Sequence, residues 1–520
     1  MTENTNIMLL DFRTRDWTTI LPLELLAHIF SFLAEVYPLN FDADLDLRLG
    51  WVTVTHTCRR WRTAALLTPT LWTRLSPAMG PAYDVFLKRS KGALLTIEGR
   101  IDTSDLLYDP MFLPSICQHR HRIQELSLSK LSPQSFAQLF NGLIDTLPNL
   151  VTMSILTCQY DFPVPRLPSA FLSHITPHLR ELRLSAVDFP CEALPSSLPS
   201  LRTFLFDDGP PTAQRVATSF SDITLTLSKM PALRTLRLVM TLSESQLPIG
   251  AHLGEVVSWS DIEVLVIESR NDTAWYLWSC LRVPSSAHIH VRSTQLSAGV
   301  VTLMISTLQS HLALSPLPHF LGLFTHSVSR GVENMNFRLR GRHVERLGEC
   351  EQKCSTRVQP SLELGLCTGS AEALWKRLLA VLPVKSIQEL RVDVGSGINW
   401  DYEKVRELLL PLRSVTHLQT DSGVVYAALE PSSFPETKPK DISLFPALTK
   451  LRAVSSSPTT YIMFSRISAQ VKDALRRTLE HRNSLGSGHL ELVLRRNRGW
   501  EEHVDQWRFR EVVEWVERAE

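Results

Sequence analysis

The chain has 520 residues, enough for two or three ordinary domains, or for one small module followed by an extended repeat array. Hydrophobic residues make up 44% and charged residues 21%, the balance of a folded chain and not of a disordered tail. Lys plus Arg number 54 against 53 Asp plus Glu, so no global positive field exists to collect nucleic acid or an anionic membrane, and partner choice must come from local surfaces.

The eight cysteines, Cys58, Cys117, Cys158, Cys191, Cys280, Cys350, Cys354 and Cys367, are too sparse for a disulfide framework in a chain this long. They point to a reducing, intracellular home, cytoplasm or nucleus. Residues 1–17, MTENTNIMLLDFRTRDW, lack the basic start, apolar run and small-residue cleavage site of a secretory signal and read as an N-terminal arm.

Residues 21–33, LPLELLAHIFSFL, carry Pro22 where a first helical turn tolerates it. Leu25, Leu26, Ile29, Phe30, Phe32 and Leu33 then make an apolar stripe wider than one short helix can hide by itself. After the acidic stretch EVYPLNFDADLDLR (35–48), residues 49–72 are locally ambiguous, because 51–55 alternate like a strand. Trp51, Val54, Cys58, Trp61 and Ala65 nevertheless step by three and four residues, which predicts one helix over four turns.

These two runs, LPLELLAHIFSFL and THTCRRWRTAALLTPTLW, resemble an F-box, most like those of mushroom-forming fungi, over residues 18–75. The resemblance implies a small three-helix module that docks on a Skp-type adaptor, and through it on a cullin and a RING subunit. Adaptor contacts would fall on Leu21, Pro22, Leu25, Ile29, Phe30, Val54 and Cys58, with Trp61 holding the helices together. The acidic stretch departs from a compact F-box and is expected to loop out.

From residue 93 a short pattern recurs: an apolar residue, two intervening residues, then apolar-x-apolar. Clear copies start at Ile123, Leu179, Leu201, Leu233, Ile262, Ile387 and Leu448, and weaker ones at Ala93, Leu150, Glu333, Ser361, Val415 and His489. Several follow one another at intervals of 22 to 32 residues. That loose period resembles leucine-rich repeats, one parallel strand and a helical or irregular return per unit. Pro148, Pro199, Pro231 and Pro446 each stand two residues before the leucine that opens a copy, where proline ends a returning helix.

In LRELRLS, Leu179, Leu182 and Leu184 should point inward, and Glu181 and Arg183 toward an exposed concave face. Thr235, Arg237, Glu389, Arg391 and Asp393 occupy equivalent exposed positions, and this row is the candidate substrate-binding face. Two irregularities stand out: the asparagine expected after each strand is inconsistent, and between about 293 and 333 a unit is missing or diverged. The same stretch lacks charges from 293 to 329, but Pro316, Pro318 and scattered polar residues interrupt the roughly 20 apolar residues a membrane span requires. Residues 500–520 read as an amphipathic cap, with Trp500, Val504, Trp507 and Val512 closing the last repeat.

No phosphate loop, nucleophile elbow or dinucleotide fingerprint occurs, and the short His and Cys pairs lack the partners that a metal site needs. No cofactor and no catalysis are expected. The fold class is therefore read as α/β: an F-box module over 18–75, then an irregular leucine-rich-repeat-like solenoid with a parallel sheet and outer helices or loops over 76–499. The function expected is the substrate-recognition subunit of an SCF-type cullin-RING ubiquitin ligase that holds a target protein. The alternative is a non-catalytic repeat scaffold that delivers no substrate.

Overall fold

The computed structural model describes residues 21–494 except 40–48, 102–110, 144–146, 158–163, 169–170, 172–176, 192–196, 210–218, 244–246, 248–255, 298, 315–317, 330–331, 342–360, 369–370, 395–399, 421, 430–443, 454–476, 478–479 and 481–489. The expected arm over 1–17, the three aspartates at 42, 44 and 46, and the expected cap over 500–520 lie outside the described residues. Two compact units partition the chain, residues 1–217 with 229–231, and residues 218–228 with 232–520.

The first unit begins with α1 (Leu23–Val36), whose Pro22 carbonyl accepts the Leu26 amide at 3.2 Å. The single helix expected over 49–72 is instead broken into three. A 3-10 helix (Gly50–His56) is followed by α2 (Arg59–Leu66) and a second 3-10 turn (Pro69–Trp72). Cys58 causes the break: its backbone is extended, at φ −156° and ψ 169°, and its Sγ caps α2 by accepting the Trp61 amide at 3.5 Å. Helical spacing survives across the break because both pieces turn the same residues inward, while the β-branched run Val52–Val54 lowers the propensity for a continuous α-helix.

Strand β1 (Arg74–Leu75) follows two residues after Trp72. α3 (Ala82–Arg89), β2 (Leu95–Arg100), α4 (Phe112–Gln118), β3 (Ile123–Leu131) and α5 (Pro133–Gly142) come next, then β4 (Thr152–Thr157), β5 (Glu181–Ser185) and β6 (Thr203–Asp207). Strands β1 to β6 lie side by side in chain order and pair in parallel. Burial alternates with period two in β4, β5 and β6; in β5, Leu182 and Leu184 are buried while Arg183 is exposed.

A tight turn follows at three of the proline steps. Amides of Leu150, Leu201 and Leu448 each bond back three residues, to Leu147, Leu198 and Phe445, at 3.0–3.2 Å, so each strand is entered through one tight turn. Every copy of the recurring pattern lies on or just before a strand.

The second unit runs α6 (Phe220–Ser228), β7 (Thr235–Val239), β8 (Val257–Ser258), β9 (Val264–Ser269), α7 (Thr273–Ser279), β10 (Leu281–Arg282), β11 (His288–Ser293), α8 (Val300–Leu314), β12 (Pro318–Ser329), β13 (Val332–Gly341), β14 (Ser361–Thr368), α9 (Ala371–Val381), β15 (Glu389–Val394), α10 (Tyr402–Leu409), β16 (His417–Thr420), α11 (Gly423–Leu429), β17 (Lys450–Ala453) and β18 (Glu491–Leu494). Its sheet order is β7-β9-β11-β14-β13-β12-β15-β16-β17-β18, with β8 and β10 pairing separately.

Of the two readings for 293–333, a missing or a diverged unit, the second holds, and the expectation of a purely parallel ladder is corrected. The interval holds α8 and β12, and β13 runs antiparallel to both β12 and β14. Only two residues separate β12 from β13, and so short a link joins antiparallel neighbours, because a parallel crossover needs a dozen residues or more. Strands β12 and β14 remain parallel to β15 and β11 on either side.

Within the first unit, one buried charge ties the start of β3 to the turn after α3. Arg122 donates from Nη2 to Ser90 Oγ at 2.6 Å and to the Ala93 carbonyl at 2.9 Å, and from Nε to the same carbonyl at 3.0 Å. Truncation in Arg122→Ala leaves that carbonyl and hydroxyl buried without a donor, and should lower unfolding stability by about 2–3 kcal/mol in urea titrations.

Candidate functional site

Burial divides the apolar residues of α1 into two sets. Leu26 and Phe30 face inward, where the Phe30 ring meets Trp61 at 5.3 Å between centroids. Leu25, Ile29, Phe32 and Val36 lie on the other side, 51%, 48%, 60% and 69% exposed, and their spacing of four, three and four residues makes one continuous seam. Such a seam on a surface helix is a protein-docking feature, not an ordinary scatter of exposed apolar residues.

Of the residues expected to contact an adaptor, Pro22, Leu25 and Ile29 are exposed and Leu21 and Cys58 half-buried. Phe30 and Val54 are corrected: both are packed inside the chain, because they face the α1–α2 interior, and they hold the module together instead of presenting surface. Phe32, placed in the apolar stripe but not among the expected adaptor contacts, and Val36, overlooked in the sequence, belong to the exposed seam. Their signal was the four-three-four spacing on from Leu25.

The module is held together internally and packs on α3. Arg60 Nη2 donates to the Leu21 carbonyl at 2.5 Å, Trp72 Nε1 to the Ala65 carbonyl at 2.8 Å, and the rings of Trp51 and Phe86 pack on Trp72 at 5.1 and 4.8 Å. Gly50 makes the return from α1 possible. Its φ is +46°, and a Cβ there would sit 2.4 Å from the Pro38 carbonyl oxygen. Gly50→Ala should therefore cost about 1–3 kcal/mol of module stability, read as a lower melting temperature.

The second candidate surface is the outward side of the strands. Glu181 and Arg183 pair with each other on β5, in the first unit. In the second unit Arg237 bonds Glu268 at 3.0 Å and Thr235 is half-buried beside it. Six strand steps away, roughly 29 Å at the usual strand spacing, Arg391 bonds Asp393 at 3.0 Å and Glu389 lies 3.6 Å from His319. Within the second unit these residues share a face without forming one cluster.

A tighter group, overlooked in the sequence, sits between them. Register places His290, Glu363, Arg338, Gly322 and Arg391 in one row across β11, β14, β13, β12 and β15. Glu363 accepts from Arg338 Nε at 2.6 Å and lies 3.4 Å from His290 Nδ1. Burial pushes the Glu363 carboxyl up, but the His290 hydrogen bond and the Arg338, His288 and His290 charges outweigh it and bring it down to about 2. Burial holds His288 below its ordinary value against the opposing pull of Glu363.

Both shifts favour the folded state at neutral pH, since both groups bind protons more weakly folded than unfolded. The His288 contribution fades as pH falls below about 6.5. That of Glu363 is lost between 4.5 and about 2. Urea unfolding at pH 7, 4 and 2.5 should show this decline, and Arg338→Gln should move the acid-sensitive step upward in pH.

Among the described residues no group of His, Cys, Asp and Glu could hold a metal ion, and no helix is long and apolar enough to cross a membrane. No curated protein matches the chain. The family described as F-box-like matches residues 18–78, the segment that carries α1, α2 and the exposed seam, so the N-terminal part of this α/β chain is an F-box-like domain.

Proposed function

We propose that the protein is the substrate-recognition subunit of an SCF-type cullin-RING ubiquitin ligase. The seam of Leu25, Ile29, Phe32 and Val36, inside the F-box-like match, carries this reading. Burying such side chains against a partner contributes roughly 1.5–3 kcal/mol each, which is enough for a few of them to anchor an interface. A Skp-type adaptor is the partner that F-box domains typically bind, and cullin and RING subunits follow through it.

The remaining strands act as an irregular leucine-rich-repeat-like solenoid, supported by the parallel pairing and the recurring turn before each strand. Its outward side, with Glu181, Arg183, Thr235, Arg237, Glu389, Arg391 and Asp393, holds a target protein. The chain itself performs no catalysis and needs no cofactor. It raises the effective concentration of a target lysine near the charged conjugating enzyme, in cytoplasm or nucleus.

Ile29→Glu with Phe32→Glu tests the seam. Both positions are exposed, so the variant should melt within about 0.5 kcal/mol of the parent and yet lose the adaptor in co-purification. An unchanged complex in the folded variant would refute the interface. A complex that forms but supports no cullin-dependent ubiquitination of any captured protein would favour the scaffold alternative.

A further inference from the structure

The hairpin of β12 and β13 brings together side chains found nowhere else on the described outward face. Phe320 and Phe324 point outward on either side of Gly322, and both rings lean over it. A Cβ at Gly322 would meet Phe324 Cε2 at 2.8 Å and Phe320 Cε1 at 3.3 Å. Glycine therefore lets two phenyl rings lie side by side as an apolar floor.

Arginines border this floor. The Arg391 guanidinium lies 4.9 Å from the Phe324 ring centroid and that of Arg340 lies 5.5 Å from Phe320. Arg338 and Arg391 are register partners of Gly322 from opposite sides, about 10 Å apart at two strand spacings.

Each of these two arginines is held from behind by a carboxylate on Nε, Glu363 for Arg338 and Asp393 for Arg391. Both ion pairs are made at Nε, with Nη1 and Nη2 at the far end of each guanidinium. A guanidinium fixed at Nε keeps a planar pair of donors in place, and that pair matches a carboxylate; Arg391 alone of the two is also held by a ring, that of Phe324. Side-chain ordering, usually a cost of binding, is largely met before the ligand arrives.

We propose that this face binds an extended, Asp/Glu-rich segment of a protein, its carboxylates gripped by Arg338 and Arg391 and its backbone laid across Phe320 and Phe324. The inference rests on the reading that the strand face holds a target, and it names the chemistry of that target. Two to three residues of extended chain span the gap between the arginines. Glu363, Glu389 and Asp393, interleaved with the cations, disfavour the unbroken phosphate line of a nucleic acid.

A fluorescein-labelled (Glu-Ser)6 peptide titrated into the full chain, followed by anisotropy, tests this. Binding should weaken as salt rises, vanish for the (Gln-Ser)6 peptide, and fall at least tenfold in Arg338→Gln/Arg391→Gln. Arg183→Gln, on the outward face of the first unit, should bind as the parent does. Arg391→Lys keeps the charge but loses the planar fork and the ring contact, and should lose several-fold. Because Arg338 braces Glu363, melting curves accompany each variant, and Arg391→Gln alone should still fall several-fold.

Parent-like affinity in a folded Arg391→Gln chain would overturn the proposal, as would tighter binding of an oligothymidylate of equal length. Adaptor co-purification run alongside separates the two readings. No peptide binding by a chain that still assembles with the adaptor refutes the acidic-segment inference alone. Peptide binding by a chain that takes no adaptor supports that inference and refutes the ligase reading.

Discussion

In-register backbone pairing is the constraint from which the rest of this structure follows. Each strand contributes aliphatic side chains to one side and polar ones to the other, because successive residues point opposite ways. Parallel pairing in register then lines equivalent residues up from strand to strand, as with Thr152, Glu181 and Thr203, or His288 and Ser361. A slip of one residue anywhere would turn leucines to solvent and arginines into the core, so the apolar pattern and the outward rows enforce each other.

The antiparallel hairpin is the place where that regularity is relaxed. Inserting β13 between β12 and β14 reverses one strand without disturbing register, since Arg338 and Arg340 still fall opposite Glu363 and Ser361. The reversal brings in side chains that a simple repeat does not supply, two outward phenylalanines around a glycine and two adjacent outward arginines. Carboxylates from the flanking parallel strands neutralise part of that charge and fix its geometry. The most specialised surface of the second unit thus occurs at its topological exception.

Much of this was legible in the amino-acid order. The recurring Leu-x-x-Leu-x-Leu steps mark strands because their last two leucines, such as Leu182 and Leu184, stand two residues apart and so bury on one side of a strand, while the first, Leu179, is buried just before it. The helix of 23–36 was equally plain. The split at Cys58 was not, since a capping thiol leaves helical spacing intact on both sides while the backbone between them extends. Nor was the hairpin: 318–329 carries no Asp, Glu, Lys or Arg to mark an outward side, and the role of Gly322 depends on two rings folding over it. The division of α1 between interior and seam needed the packing partners of Phe30, which lie in a segment 31 residues away at Trp61.

The aromatic cluster of Trp51, Trp72 and Phe86, with β1 beginning two residues beyond Trp72, leaves no swivel between the F-box-like helices and the first strands. Whatever grips the seam on α1 therefore also dictates the heading of β1 to β6, as a clamp at the root dictates where a cantilever points. Reach from a bound object is then a matter of the beam's geometry and not of chance swinging, and a single loosened ring at that root would blur the aim of β1 to β6.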